Sequence, residues 1–187
     1  ADGGAAVVSL AFTDAAGNIS ATTTSVTLSS ESIDATKPTI SAVSIADSAM
    51  NIGDVVTATI TVGNAVGQVL TLSSGTIGGF TLGSLARVSD TSYTATFTVT
   101  DGGTDVAAGA DIPVSLILAD PAGNTSATYS TAISQTSDSI DANAPTITGV
   151  AVADGTYKIG DTATVTITAS NSETGLTVSS ATFNGQT

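Results

Sequence analysis

The stretch DATKPTISAVSIAD (residues 34–47) returns as DANAPTITGVAVAD (residues 141–154), 107 residues later (141 minus 34). Two further pairs keep the interval. NIGDVVTATITV from Asn51 is matched by KIGDTATVTITA from Lys158, and FTDAAGNISAT from Phe12 by LADPAGNTSAT from Leu118, the last at 106 residues (118 minus 12). A period of this length is one small domain rather than one turn of a solenoid. The chain therefore reads as a window onto a tandem array. Residues 1–34 match the end of a repeat, 35–141 form one complete repeat, and 142–187 match a beginning. A unit of about 100 residues can bury a core unaided. The partial units cannot do so as well, so the expectation is a longer continuous polypeptide, with completion of the ends by neighbouring molecules as the alternative.

Hydrophobic residues make up 41% of the chain and charged residues only 10%, with Thr, Ser, Ala and Gly filling the gap. Disordered chains combine low hydrophobicity with high charge, so this composition predicts a folded protein. Abundant Thr and Val favour strands over helices. Alternation is clearest at 93–100, where Tyr93, Ala95, Phe97 and Val99 point one way and four threonines the other. The same pattern marks 55–62 (Ala58, Ile60, Val62) and 112–119 (Ile112, Val114, Leu116, Leu118). Further strands are expected at 39–45, 69–72, 82–88 and 125–134, with the glycine-rich SSGTIGGF as a loop. Pro113 must then lie at an edge, a bulge or a strand's beginning. The predicted fold class is all-β: tandem Ig-like β-sandwich domains of about seven strands per repeat.

The residues also resemble a family. The DATKPTI opening, the IGD before the second strand, SYTATFTVTDGGTD, and DAAGN or DPAGN in the last hairpin are similar, in order and spacing, to the bacterial Ig-like repeats that build the stalks of giant secreted adhesins. The resemblance covers the whole chain. It implies an extracellular extender region on the bacterial cell surface, with Ca²⁺ rigidifying the junctions between domains. The partners implied are neighbouring repeats of the same chain, with lateral or head-to-tail self-association as a further option. The Gly-Asp-rich nonapeptide calcium repeats that such proteins often carry elsewhere do not occur here.

Acidic positions recur between the copies: Asp14/Asp120, Glu31/Asp138, Asp34/Asp141, Asp47/Asp154 and Asp54/Asp161. At Glu31/Asp138 the residue type changes while the charge stays, which suits a charge or oxygen-ligand role better than a turn. In an Ig-like topology the turn between the last two strands lies at the end where the chain enters, and the turn between the first two at the exit. Asp120 and Asn124 should thus face the linker holding Glu31 and Asp34. Asp47, Asp54, Asp101 and Asp105, with Asp111 as a further candidate, should face the linker holding Asp138 and Asp141. Hard oxygen ligands without His or Cys select Ca²⁺ over transition metals. The competing reading is that Asp in DAAGN, and likewise in IGD, only accepts backbone amides in a turn.

Sixteen acidic residues against three basic ones give a net charge of −13, which repels nucleic acid and anionic lipid. No apolar run approaches the about 18 residues of a membrane helix. Cys and His are both absent, which removes disulfides, thiolate zinc sites and the commonest general base. No Gly-x-Ser-x-Gly elbow or phosphate loop is present, so an enzyme is not expected. A structural stalk is the preferred reading, and a subunit of an extracellular filament or sheath the alternative.

Overall fold

A computed structural model describes residues 8–24, 33–136, 139–170 and 175–182. The described strands are β1 (Thr39–Ser44), β2 (Met50–Asn51), β3 (Val55–Gly63), β4 (Thr71–Ile77), β5 (Phe80–Thr81), β6 (Ala86–Arg87), β7 (Ser92–Thr98), β8 (Val114–Ala119), β9 (Ile140–Asp141), β10 (Ile147–Val152) and β11 (Val165–Ala169). One sheet runs β1-β3-β7-β6 and a second β5-β4-β8. Residues 125–133 extend the second sheet beyond β8, through bridges of Ile112 with Ile133, Leu116 with Tyr129, and Ala119 with Thr125. Setting the small β2, β5 and β9 aside, this is the constant-type immunoglobulin partition, four strands facing three.

Period-two alternation places the core. Tyr93, Ala95, Phe97 and Val99 are buried, as are Ala58, Ile60 and Val62 on β3, Val114, Leu116 and Leu118 on β8, and Ile112 just before it. These side chains from both sheets form one hydrophobic cluster. The buried Tyr93 keeps its hydroxyl satisfied by donating to the Gln68 carbonyl at 2.9 Å and accepting from the Leu70 amide at 3.2 Å. Tyr93→Phe strands both backbone groups, and we expect it to cost about 1–2 kcal/mol. A urea midpoint equal to that of the parent would show that the hydroxyl contributes nothing.

Four expectations are corrected. The third strand is not 69–72 but 71–77, and the glycine-rich stretch expected as a loop is mostly strand. Gly75 sits within β4 because a Cβ there would come within 2.9 Å of Leu82 and 3.0 Å of Leu116 and Leu72. Only Gly78 and Gly79 make the turn, with φ of 60° and 87°, joining Ile77 to Phe80 in a two-residue hairpin. The expected fourth strand, 82–88, shrinks to Ala86–Arg87, because here the chain crosses between sheets. The Leu82 amide bonds to Gly75 in one sheet and the Gly83 amide to Thr96 in the other. Residues 125–134 do not form a continuous strand, since their pairing with β8 slips between Ser126, bonded to Leu118, and Tyr129, bonded to Leu116. Pro113 falls immediately before β8, where its missing amide costs nothing and its carbonyl accepts from Gly78.

The partial repeats copy the complete one. β10 pairs with β11 in the register of β1 with β3: Ile40 opposite Val62 becomes Ile147 opposite Ala169, and the same irregularity follows. In the first segment, Leu10 bridges Thr23 and Thr13 bridges Ile19, matching Leu116 with Tyr129 and Ala119 with Thr125. The match continues where sequence inspection missed it. LTVSSATFNGQT from Leu176 repeats LTLSSGTIGGFT from Leu70.

Candidate functional site: the two ends of the repeat

At the leading end, the turn after β8 is built on Asp120. Its Oδ1 accepts from the Asn124 amide at 2.8 Å and its Oδ2 from Asn124 Nδ2 at 2.9 Å. Gly123 supplies the left-handed conformation, with φ of 91°. Asn124 Nδ2 also donates to the Asp34 carbonyl at 3.2 Å, so turn and linker meet as expected. Gln68 Nε2 adds a bond to Asp34 Oδ2 at 2.9 Å, and Asn64 Nδ2 donates to the Lys37 carbonyl at 3.3 Å.

At the trailing end, the outgoing chain is drawn into the domain. β9 lies parallel to β2, with Met50 opposite Ile140 and Asn51 opposite Asp141. Ile140 also exchanges both backbone bonds with Val106 at 2.9 Å. Asp105 Oδ1 accepts from the Ala142 amide and from Asn143 Nδ2, each at 2.8 Å. Asp101 Oδ1 accepts from the Ala144 amide at 3.2 Å, and the Gly102 amide donates to the Ala142 carbonyl at 2.9 Å. The DGGTD loop therefore binds the linker through its two carboxylates, with Ala142 fully buried beneath it.

Recurrence of the acids follows turn chemistry wherever both copies are described and bonded. Asp14 takes the Ala16 and Asn18 amides and Asn18 Nδ2 just as Asp120 takes the Asn124 groups. Asp54 accepts from the Asn51 amide at 2.8 Å, and Asp161 from the Lys158 amide at 2.9 Å. Asp34 accepts from the Thr36 amide and Asp141 from the Asn143 amide. The side chain of Asp47 lies exposed on the bend after β1. Glu31 and Asp138, the pair that best suited a ligand role, lie outside the described residues.

A calcium ion needs six to eight oxygen ligands. Among the described residues no three acidic side chains gather closely enough to hold a metal. At the leading end one oxygen, Gln68 Oε1, is buried without a partner beside Asp34. That oxygen, the likewise unpartnered Gln135 Oε1, and carboxylates already accepting N–H bonds do not fit a calcium centre by themselves. An open cleft of about 570 Å³ lies between β5 and β7, but Asp101 is its only titratable lining residue.

Sequence reading missed the amide side chains Gln68, Asn64 and Asn143. Asn143 stands where the other linker has Thr36, so it left no recurrence to notice.

Burial pushes the Asp120 carboxyl up, but bonds from the Asn124 side chain and from the Asn124, Ala122 and Gly123 amides outweigh it and hold its pKa below the ordinary carboxylate value. The sign fixes the pH behaviour. The contribution of Asp120 is complete above the unfolded pKa and is lost as pH falls through the lowered folded one. We expect a melting temperature level from pH 7 to about pH 5 and falling below it. Asp120→Asn should melt lower at neutral pH, by about 1–2 kcal/mol of stability, with a shallower acid dependence. Parallel acid profiles for the two proteins would remove Asp120 as a source of that dependence.

Strand order, core and turn geometry all lead to one assignment, and a family described as bacterial Ig-like domain matches residues 34–137. The chain belongs to that family. Neither a curated protein nor a solved structure matches it. A bacterial Ig-like domain is a non-catalytic fold and is consistent with a structural segment of a surface protein. In this bacterial Ig-like chain, no helix of the described residues is long and apolar enough to cross a membrane.

Proposed function

We propose that the chain is a structural extender segment of a large bacterial cell-surface adhesin, in which each Ig-like repeat adds length and the junctions resist bending. The observation that carries this reading is that the linkers are built into the domain ends: Asp34 by Gln68 and Asn124, Ala142 and Ala144 by Asp105 and Asp101. A flexible tether would leave those residues to solvent. Calcium at the junctions, expected from the resemblance, is part of the proposal only as an addition to this bonding, through the ends that contain Glu31 and Asp138. Antibody raised against the complete repeat should label intact cells and mark material projecting from their surface. Labelling only after permeabilisation would contradict an extracellular extender.

A further inference from the structure

We infer that consecutive repeats are joined by a two-sided clasp that needs no metal, in which the 101–105 loop of one repeat and the leading-end asparagine amides of the next, Asn64 and Asn124 in the complete repeat, grip the same linker at once through different atoms. This rests on the tandem reading of the repeats, not on the adhesin reading.

The two linkers in the chain are versions of one element. Both open with an Asx turn: the Thr36 amide donates to Asp34 Oδ1 at 3.1 Å, and the Asn143 amide to Asp141 Oδ1 at 3.3 Å. Backbone contacts seen on one can therefore be carried to the other, whereas the Gln68 and Asn143 side-chain contacts stay with their own linkers, because Thr174 and Thr36 stand at the matching positions. The preceding domain, observed at 139–144, takes the Ala142 amide and carbonyl, the Asn143 side chain and the Ala144 amide. The following domain, observed at 34–38, takes the Asp34 carbonyl and carboxylate and the Lys37 carbonyl. With Asp34 placed on Asp141 and Lys37 on Ala144, none of these named contacts competes for an atom. Pro38, which ends the linker, is itself fully buried in the following domain. From Asp to Pro the linker thus has a grip from one side or the other along its length and no span left to act as a hinge. The acceptors on Asp105, Asp101 and the Asp34 side chain are carboxylates, and hydrogen bonds to charged groups are the strong kind, while the remaining bonds end on backbone carbonyls.

Amide hydrogen exchange on the whole 187-residue chain, followed by NMR in EDTA and again in Ca²⁺, tests the clasp. The Ala142 and Ala144 amides should exchange at least about a hundredfold slower than in an unstructured peptide, equally in both solutions. Asp105→Ala should speed exchange at Ala142 by about tenfold to a hundredfold and leave β3 and β7 protected. Asp101→Asn is the gentler second variant and should speed Ala144 alone. Gln68→Ala should act on the other side, at Thr36. Protection that requires Ca²⁺, or that survives both aspartate substitutions, overturns the clasp. Either result leaves the surface-labelling test of the adhesin reading standing by itself.

Discussion

Phe97→Ala should remove about 3–5 kcal/mol of stability, a large part of the about 5–15 kcal/mol that holds a domain folded. Phe97 is 2% exposed on β7, the strand whose partners are β3 on one side and β6 on the other. Its ring stacks on Phe80 of the opposite sheet, with centroids 5.9 Å apart and planes 12° from parallel. Truncation therefore opens a cavity at the seam between the sheets and also removes an aromatic pair. Denaturant unfolding should show a much lower midpoint, with strand signal still present in water if the remaining core suffices. A midpoint within the error of the parent would mean that the two sheets are not held together at this seam.

Gly103→Val should cost about 3 kcal/mol, at the upper end for overpacking, and should loosen the linker as well. A Cβ at this position would lie 2.6 Å from two atoms of the Phe80 ring and 3.1 Å from Ala142 Cβ. The ring cannot step aside without breaking its stack on Phe97. The loop must lift instead, carrying Gly102 and Asp105 away from Ala142. The expected result is a lower melting temperature together with faster exchange at the Ala142 amide. Loss of stability with full protection at Ala142 would show that loop and linker are not coupled.

Much of this was legible in the sequence, for physical reasons. Strands such as β7 declare themselves because one face is buried and the other solvated, so apolar residues and threonines alternate. β4 hid because its glycine is a packing device: Gly75 makes room for Leu72, Leu82 and Leu116, yet in sequence it looks like a loop. The segment at 82–88 misled because its apolar residues serve a crossing between sheets rather than a ladder. At the ends, topology brought Asp34, Asp120 and Asn124 together on one side and Asp101, Asp105 and the 141 linker on the other. The partners of those carboxylates could not be read. They are backbone amides and the side chains of Gln68 and Asn143, groups that carry no charge and leave no pattern. Recurrence of an acid says that its position matters, and turn geometry at Asp54 and Asp161 supplies a sufficient reason.

On the proposed reading, tandem repeats of this bacterial Ig-like domain form a stiff extender. Small-angle scattering on the chain extended by one, two and four further copies of residues 34–140, inserted after Ile140, measures it directly. A stiff extender predicts a maximum dimension that grows in proportion to repeat number, in chelator as well as in Ca²⁺. A flexibly linked chain instead grows roughly as the square root of repeat number. Square-root growth in both solutions would show that the junctions bend freely.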